Sequence, residues 1–341
     1  MRYRDLRPCT TAFIDTRTPG STQKENFTII GPGVAENPDQ YVHIDIPHGF
    51  NVGGARQPPG CVNSQHSHET AEVFIVQSGQ WAFYTGVDCR DGEVTVGPGD
   101  TISIPIHVFR GFKNVGNEVG YLFAVLGGDD PGMVTWAPYV FDQARENGLV
   151  LLEDGSLVDT SRGETVPAEK HPMRPTSEED VARLDRLFTE RLAGCIVRRE
   201  ELLQEPDMNP EPVREWSIIG AAGGAEGLEA GKINWPHGFT LRLLTVQPGA
   251  EAAAHSRREE EVILMHKGRL VVLLADSSVE LGPGDVLSIP TGMRRGFGNF
   301  GTERVEAFIV RGGDKPQPPF LMRSSVANQA TGDGSLTNVG D

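Results

Sequence analysis

From residue 41 onward the apolar positions fall into short runs, broken by glycine, proline, asparagine and aspartate. The run at 41–46 has the period of two that places one face of a strand in a core, and further short strand-like runs follow at 72–76, 80–84, 94–96, 101–104, 109–114 and 121–126. Many short strands with turn residues between them predict an all-β chain with minor helices, built as a sandwich or barrel. The helical signals are few. Residues 138–147 read as a short helix stopped at Gly148, and 149–160 as a hairpin turning at Asp154-Gly155. Residues 177–204 carry the strongest helical pattern, with a Ser177/Asp180 capping pair and a stripe of Val181, Leu184, Leu187 and Phe188. Residues 1–40 read as an extended arm with one strand-like patch at 27–30, suited to packing on a neighbouring subunit. Residues 324–341 are rich in Ser, Gly, Asn and Thr and read as a loose tail.

The pattern occurs twice. WPHGF at 235–239 repeats IPHGF at 46–50, and Gly249, His255, Glu261 and Gly268 each follow Gly60, His66, Glu72 and Gly79 by 189 positions. Beyond a loop shortened by four residues the offset becomes 185, linking Gly284 to Gly99, Pro290 to Pro105, Arg295 to Arg110, Asn299 to Asn114 and Gly312 to Gly127. A constant offset with one gap marks a duplicated domain, and two copies must each close a core. The expected organisation is an arm (1–40), a first barrel (41–130), an inter-barrel segment (131–216), a second barrel (217–320) and a tail (321–341).

Composition narrows the partners. The 341 residues carry 31 basic and 47 acidic side chains, a net charge of −16, which disfavours nucleic acid and anionic membrane surfaces. No apolar stretch approaches the length of a membrane span, and the first residues lack a signal-peptide core, so a cytoplasmic protein is expected. Cys9, Cys61, Cys89 and Cys195 are far apart and read as free thiols.

The chemistry concentrates at 60–79. His66, His68 and Glu72 are separated by even numbers within a strand-like run, so their side chains can share a face. Two imidazoles and a carboxylate form the set that binds Fe(II) and related divalent ions. The stretch Gly60-x5-His66-x-His68-x3-Glu72-x6-Gly79 fills every fixed position of the first motif of the cupin superfamily. The second motif appears as Gly99-x5-Pro105-x-His107-x2-Arg110-x3-Asn114, with His107 in place of a glycine and Arg110 in place of the metal-binding histidine. In the second copy Arg257 replaces the second histidine and Arg295 the last. The chain therefore resembles a bicupin, over roughly 80 residues in each half. The resemblance implies two tandem jelly-roll barrels (double-stranded β-helix), with a divalent metal, Fe(II) favoured and Mn, Ni or Zn possible, on His66, His68 and Glu72 of the first barrel only.

Arginine cannot ligate a cation, which leaves two readings of Arg110. Either it binds a substrate carboxylate or enolate beside an open metal site, with His107 as an acid/base or substitute ligand, or it pairs with Glu72 and takes the metal's place. Gln65 and Cys61 are weaker candidates nearby. In the second pocket His255, Arg257, Glu261 and Arg295 predict a charge-balanced core without metal, or a site for an anion. Arg110 and Arg295 both stand in R-G-F-x-N, and His48 and His237 both stand in PHGF, a repetition that favours structural roles. The expected function is a metal-dependent, dioxygenase-type enzyme acting on a small anionic aromatic or 2-oxo/enol compound. The alternatives are a non-oxidative isomerase or lyase, and a non-catalytic binding protein. A homo-oligomer is expected from the arm and the amphipathic segment.

Overall fold

The structure is a computed structural model and describes residues 1–204, 211–221 and 230–321. The first barrel contains β1 (Glu25–Ile30), β2 (Val42–Ile44), β3 (Phe50–Gln57), β4 (Val62–Ser67), β5 (Glu72–Ser78), β6 (Trp81–Thr85), β7 (Gly92–Val96), β8 (Thr101–Ile104), β9 (Arg110–Asn114), β10 (Gly120–Gly127) and β11 (Thr135–Trp136). The connecting segment holds α1 (Pro138–Glu146), the hairpin β12 (Leu149–Leu151) and β13 (Leu157–Asp159), α2 (Glu178–Arg183), α3 (Thr189–Ala193), β14 (Ile196–Val197) and α4 (Arg199–Leu203). The second barrel contains β15 (Val213–Ile219), β16 (Phe239–Val246), β17 (Glu251–Ser256), β18 (Glu261–Lys267), β19 (Leu270–Leu273), β20 (Ser278–Leu281), β21 (Val286–Ile289), β22 (Arg295–Gly298), β23 (Val305–Gly312) and β24 (Phe320–Leu321).

Each barrel is two facing sheets. In the first their orders are β14-β8-β5-β10-β3-β1-β2 and β11-β4-β9-β6-β7; in the second, β15-β16-β23-β18-β21 and β20-β19-β22-β17-β24. The larger sheet of the first barrel is buried on both faces, which is why β5 and β10 read as continuous apolar runs rather than clean alternations. One face supplies Phe74, Val76 and Leu122 to the barrel's own core. The other supplies Val52, Val73, Ile75, Phe123 and Val125 to a core shared with Leu241, Leu243, Val262, Leu264, Phe308 and Val310 of the second barrel.

The two barrels meet about a pseudo-two-fold axis. Phe50 and Phe239, 189 positions apart, stack with ring centroids 6.0 Å from each other. Gln77, 189 positions before His266, donates its amide to the His266 carbonyl at 3.1 Å. The repeated PHGF histidines are explained by the same symmetry. His48 Nδ1 donates to the Ile46 carbonyl, which leaves Nε2 to accept from Ser288 Oγ at 2.7 Å across the interface. His237 does the same with the Trp235 carbonyl and with Ser103 Oγ, at 2.7 Å each. Both histidines are therefore latches between barrels.

Three expectations change here. Residues 1–40 are not an arm reaching for another subunit: β1 pairs with β3 of its own barrel and buries Phe27, Ile29 and Ile30 in the shared core. Its counterpart is β15, and the register Asn26↔Ala55 recurs as Glu215↔Leu244, each residue displaced by 189. The duplication thus begins one strand earlier than the expected boundaries at 41 and 217, in the shared pattern of FTIIG at 27–31 and WSIIG at 216–220. Residues 177–204 do not form one helix. Ser177 caps a first turn by accepting from the Asp180 amide at 3.1 Å, but the backbone turns extended at Leu184 and again at Phe188. Packing overrides helical periodicity: Leu187, Leu192, Cys195 and Ile196 fill the first barrel's core, and β14 pairs with β8. The stretch 324–341 lies outside the described residues. No helix among the described residues is long and apolar enough to cross a membrane, and all four cysteines are free thiols.

Candidate metal centre and the filled second barrel

His66, His68 and Glu72 converge, though not along a single strand. β4 ends at Ser67 and β5 begins at Glu72, so His66 lies in one sheet, Glu72 opens a strand of the other, and His68 sits in the turn between them. One donor atom from each residue lies within 4.8 Å of the other two. Glu72 Oε2 stands 3.5 Å from His68 Nε2 and 3.9 Å from His66 Nε2, and all three side chains are buried. His66 Nδ1 faces the Ser64 carbonyl at 2.7 Å; a carbonyl only accepts, so Nδ1 carries the proton and Nε2 keeps its lone pair for a ligand. Burial, helped by the Arg110 charge, holds His68 well below the usual histidine range and so neutral. Burial also works to raise the Glu72 carboxyl, but His68, His66 and Arg110 outweigh it and pull the group down to about 2. A neutral His68 and an ionised Glu72 are the forms in which these two side chains bind a divalent cation.

Arg110 is fully buried on β9, where it is paired in register with His66. Its Nε donates to Glu72 Oε2 at 3.2 Å and its NH1 to the Val108 carbonyl at 3.1 Å. It does not line the cavity beside the trio, so the expected side-on contact with a substrate anion is not made. One Nε contact leaves most of the carboxylate's lone pairs available, so Arg110 holds Glu72 without saturating it. His107 is exposed, in a left-handed turn with φ 59°, and is not part of the cavity wall. Its roles as acid/base or substitute ligand are not supported: its backbone, rather than its ring, ties to His68 and Asp185. Gln65 spends its amide on the Gly86 carbonyl at 2.5 Å, and Cys61 is a buried thiol that burial pushes up, away from the cavity.

The cavity in front of the trio measures about 90 Å³. Most of its wall is apolar, with Phe13, Phe27, Phe74, Phe112, Leu126 and Trp136 contributing. Among the described residues no lysine or arginine lines it. Its floor is small: Gly53 and Ala124 pair in register, with Ala55 two residues along β3. The neighbouring Gly54 faces the other way, where a β-carbon would strike the Tyr121 hydroxyl at 2.4 Å.

The second barrel has the same scaffold and no such space at these positions. Arg242 and Ile309 replace Gly53 and Ala124 in the same register, Leu244 replaces Ala55, and Arg311 replaces Leu126. Glu261, in place of Glu72, is saturated. Arg295 donates through Nε and NH2 to Oε1 at 3.1 and 3.0 Å, Arg311 Nε donates to Oε2 at 2.7 Å, and Arg257 Nε stands 3.3 Å from Oε2. Arg311 also grips Glu215, through NH1 at 2.7 Å and NH2 at 2.6 Å. His255 remains beside the cluster with its Nδ1 3.0 Å from the Ala253 carbonyl. The expected charge cluster is present, enlarged by Arg242, Arg311 and Glu215. Sequence reasoning passed over these three, although the offsets align them with Gly53, Leu126 and Asn26.

The loop between β1 and β2, which lines the first cavity through Gly33, Val34 and Ala35, carries another buried group. Glu36 accepts from Trp136 Nε1 and from the Ile14 amide, both at 2.6 Å, and Trp136 packs its ring 5.3 Å from His66. Burial drives the Glu36 carboxyl up to about 8 against these donors. A carboxyl raised in the folded state contributes stability that is present below the unfolded value of 4.5 and is lost as pH rises through 8. The melting temperature of the wild type is expected to fall by several degrees between pH 5 and 8.5, and Glu36→Gln to flatten that fall. A slope unchanged by the substitution would place the titration elsewhere.

The Cupin domain family matches residues 55–126 and 242–311. The fold is similar to that of Lactobacillus farciminis oxalate decarboxylase in its formate complex, at 12% identity, with 94% of this chain and 88% of that one covered and a TM-score of 0.56. It is similar also to a deletion mutant of Bacillus subtilis oxalate decarboxylase, at 14% identity, with 92% and 76% covered and a TM-score of 0.53. A further structure of the Bacillus enzyme, described by its Mn(II) centres, aligns at 14% identity over 92% of this chain and 77% of that one, with a TM-score of 0.52. No curated protein matches the chain. With the Cupin domain present twice and a barrel closed around each copy, the protein belongs to the cupin superfamily as a bicupin.

Proposed function

We propose that the first barrel is the active site of a metal-dependent enzyme, with a divalent metal, Fe(II) favoured, held by His66, His68 and Glu72. The observation that carries this reading is the contrast between the two copies. One scaffold keeps two histidines, a carboxylate with lone pairs to spare and a cavity floored by Gly53, Ala55 and Ala124. The other fills those positions with Arg242, Leu244 and Ile309. A metal on two imidazoles and one carboxylate would supply open coordination positions for substrate and O₂, the requirement of dioxygenase-type chemistry.

The protein's own residues define the rest. The apolar wall excludes water and favours a compact, weakly polar molecule; about 90 Å³ is small against the several hundred Å³ typical of drug-sized ligands. Without a cationic side chain on that wall, a negative oxygen on the substrate would be neutralised at the metal. Short 2-oxo or enol compounds therefore suit the site better than larger anions. Arg110 steadies Glu72 from behind, and Trp136 packs against His66. A second reading, a non-oxidative lyase on the same centre, draws support from structural neighbours named as decarboxylases.

Protein purified without chelators is expected to carry close to one equivalent of metal per chain and to consume O₂ with short 2-oxo or enol compounds. Turnover without O₂ uptake would favour the lyase. Protein that is metal-free and takes up neither Fe(II) nor Mn(II) would overturn both readings. Ala124→Ile, which copies Ile309 of the filled barrel, is expected to lower turnover at least a hundredfold. Its metal content and melting temperature should stay within error of wild type, since the cavity is filled without touching a ligand. Full activity in this variant would move the substrate out of the cavity.

A further inference from the structure

Position 26 presents a hydrogen-bond donor for which the described residues supply no acceptor. The Asn26 backbone is paired with Cys9 in both directions, at 2.8 and 3.0 Å. Strand alternation puts Asn26 and Thr28 on the interior face of β1, and both line the cavity. Outside the metal-site trio, where His68 Nδ1 is likewise buried without a partner, the other amide and hydroxyl side chains of that wall are engaged. Thr28 donates to Gln40, Asn51 bonds the Gly128 carbonyl and the Gly33 amide, and Asn63 accepts from Lys24. Asn26 Nδ2 is buried and bonds nothing among the described residues. Proteins keep few such groups, because an unmade buried hydrogen bond forfeits stability.

The second barrel shows how far this position lies from the ligand carboxylate. Glu215, displaced by 189 from Asn26, and Glu261, the counterpart of Glu72, are bridged by the single guanidinium of Arg311. Two hydrogen bonds and the width of a guanidinium span roughly 7 Å. In the first barrel Leu126 stands where Arg311 stands and carries no polar group, and asparagine is one methylene shorter than glutamate. What is left between Asn26 and Glu72 is a gap of about guanidinium size.

We infer that Asn26 is a substrate-binding residue whose amide donates to an oxygen at the end of the substrate remote from the metal. This rests on the reading of His66, His68 and Glu72 as a metal centre. It narrows the substrate class to compact molecules with oxygen at both ends, a metal-binding group at one and a lone acceptor at the other, about four to six bonded heavy atoms apart.

The test uses matched hydroxamates, which chelate through one end and differ at the other. Glycolohydroxamate ends in a hydroxyl and propionohydroxamate in a methyl; the pair one carbon longer is measured alongside. Calorimetry on the Mn(II)-loaded protein is expected to show the hydroxyl-ended member of at least one pair binding about five- to tenfold more tightly. Asn26→Leu, of nearly the same shape, is expected to abolish that preference. Without metal or probe, Asn26→Leu is expected to melt a few degrees above wild type, because it removes an unmade buried donor. Equal affinities in the wild type, no binding by any probe, a preference that survives in Asn26→Leu, or a lowered melting temperature would each overturn the assignment. Mn(II) binding is measured on the same samples. Failure to bind Mn(II) defeats the metal reading, whereas equal affinities on the Mn(II)-loaded protein defeat the role of Asn26 alone.

Discussion

His68→Ala is expected to leave purification with its metal content reduced at least tenfold and with no measurable turnover. His68 is buried, its Nε2 lies 3.5 Å from Glu72 Oε2, and burial with the Arg110 charge keeps the ring in the neutral, ligating form. Removing one of three protein ligands leaves His66 and Glu72, too few to outcompete hydration at ordinary metal concentrations. The readout does not depend on knowing the substrate. A chelator should lower the melting temperature of the wild type, because metal binds only the folded chain, and should leave His68→Ala unmoved. His255→Ala, at the corresponding place in the filled barrel, should change neither metal content nor chelator response. A wild type indifferent to chelator would refute the metal centre, and a chelator response lost in His255→Ala would put the metal in the wrong barrel.

Glu261→Gln is expected to be the most damaging single change for the fold. Glu261 is fully buried and binds Arg295 and Arg311 through both oxygens, with Arg257 at 3.3 Å. Taking one partner out of a buried ion cluster costs about 3–5 kcal/mol, because the remaining charges stay desolvated. Against a total stability of about 5–15 kcal/mol the variant should be largely insoluble, or melt roughly 10 °C or more below wild type. Glu72→Gln, which strands the one buried guanidinium of Arg110 rather than three, should melt closer to wild type when both are metal-free. Acid adds a second check. Burial acts to raise the Glu261 carboxyl, but the arginines, Arg311 foremost, pull it to about 2. A carboxyl depressed in the folded state contributes stability that is present above the unfolded value of 4.5 and is lost as pH falls toward 2. Glu261→Gln, if it folds, should lack part of that acid-dependent loss. Equal melting temperatures for the Glu261 and Glu72 variants would show that the arginine cluster is not a structural core.

Much of this was legible in the sequence, because duplication writes each constraint twice. The offsets of 189 and 185 align strands whose observed registers agree residue by residue, as in Gly53↔Ala124 and Arg242↔Ile309. The even spacing of His66, His68 and Glu72 pointed to the right residues through a simplified geometry. They meet at a corner between two sheets, which a one-dimensional period cannot represent. Arg110 could not be resolved from sequence, since its contact with Glu72 depends on the registers of both β5 and β9. The cavity was written in the chain, in small residues opposite large ones at equal offset, but only a comparison of core positions rather than motif positions exposes it. The segment 177–204 misled for the opposite reason. Its apolar stripe is real, yet the partners that use it lie in the first barrel, and they draw the chain into short helices and a strand.

The shared inter-barrel core has a consequence for synthesis on the ribosome. Val73, Ile75, Phe123 and Val125 belong to a face whose cover includes Phe308 and Val310. When Val125 emerges, about 185 residues remain before Val310. At bacterial or eukaryotic elongation rates that interval is roughly ten to forty seconds. For that time the first barrel, even if closed, carries a broad bare apolar sheet. Slower growth temperature or chaperone capacity, rather than changes to the metal site, should therefore govern how much soluble protein is recovered.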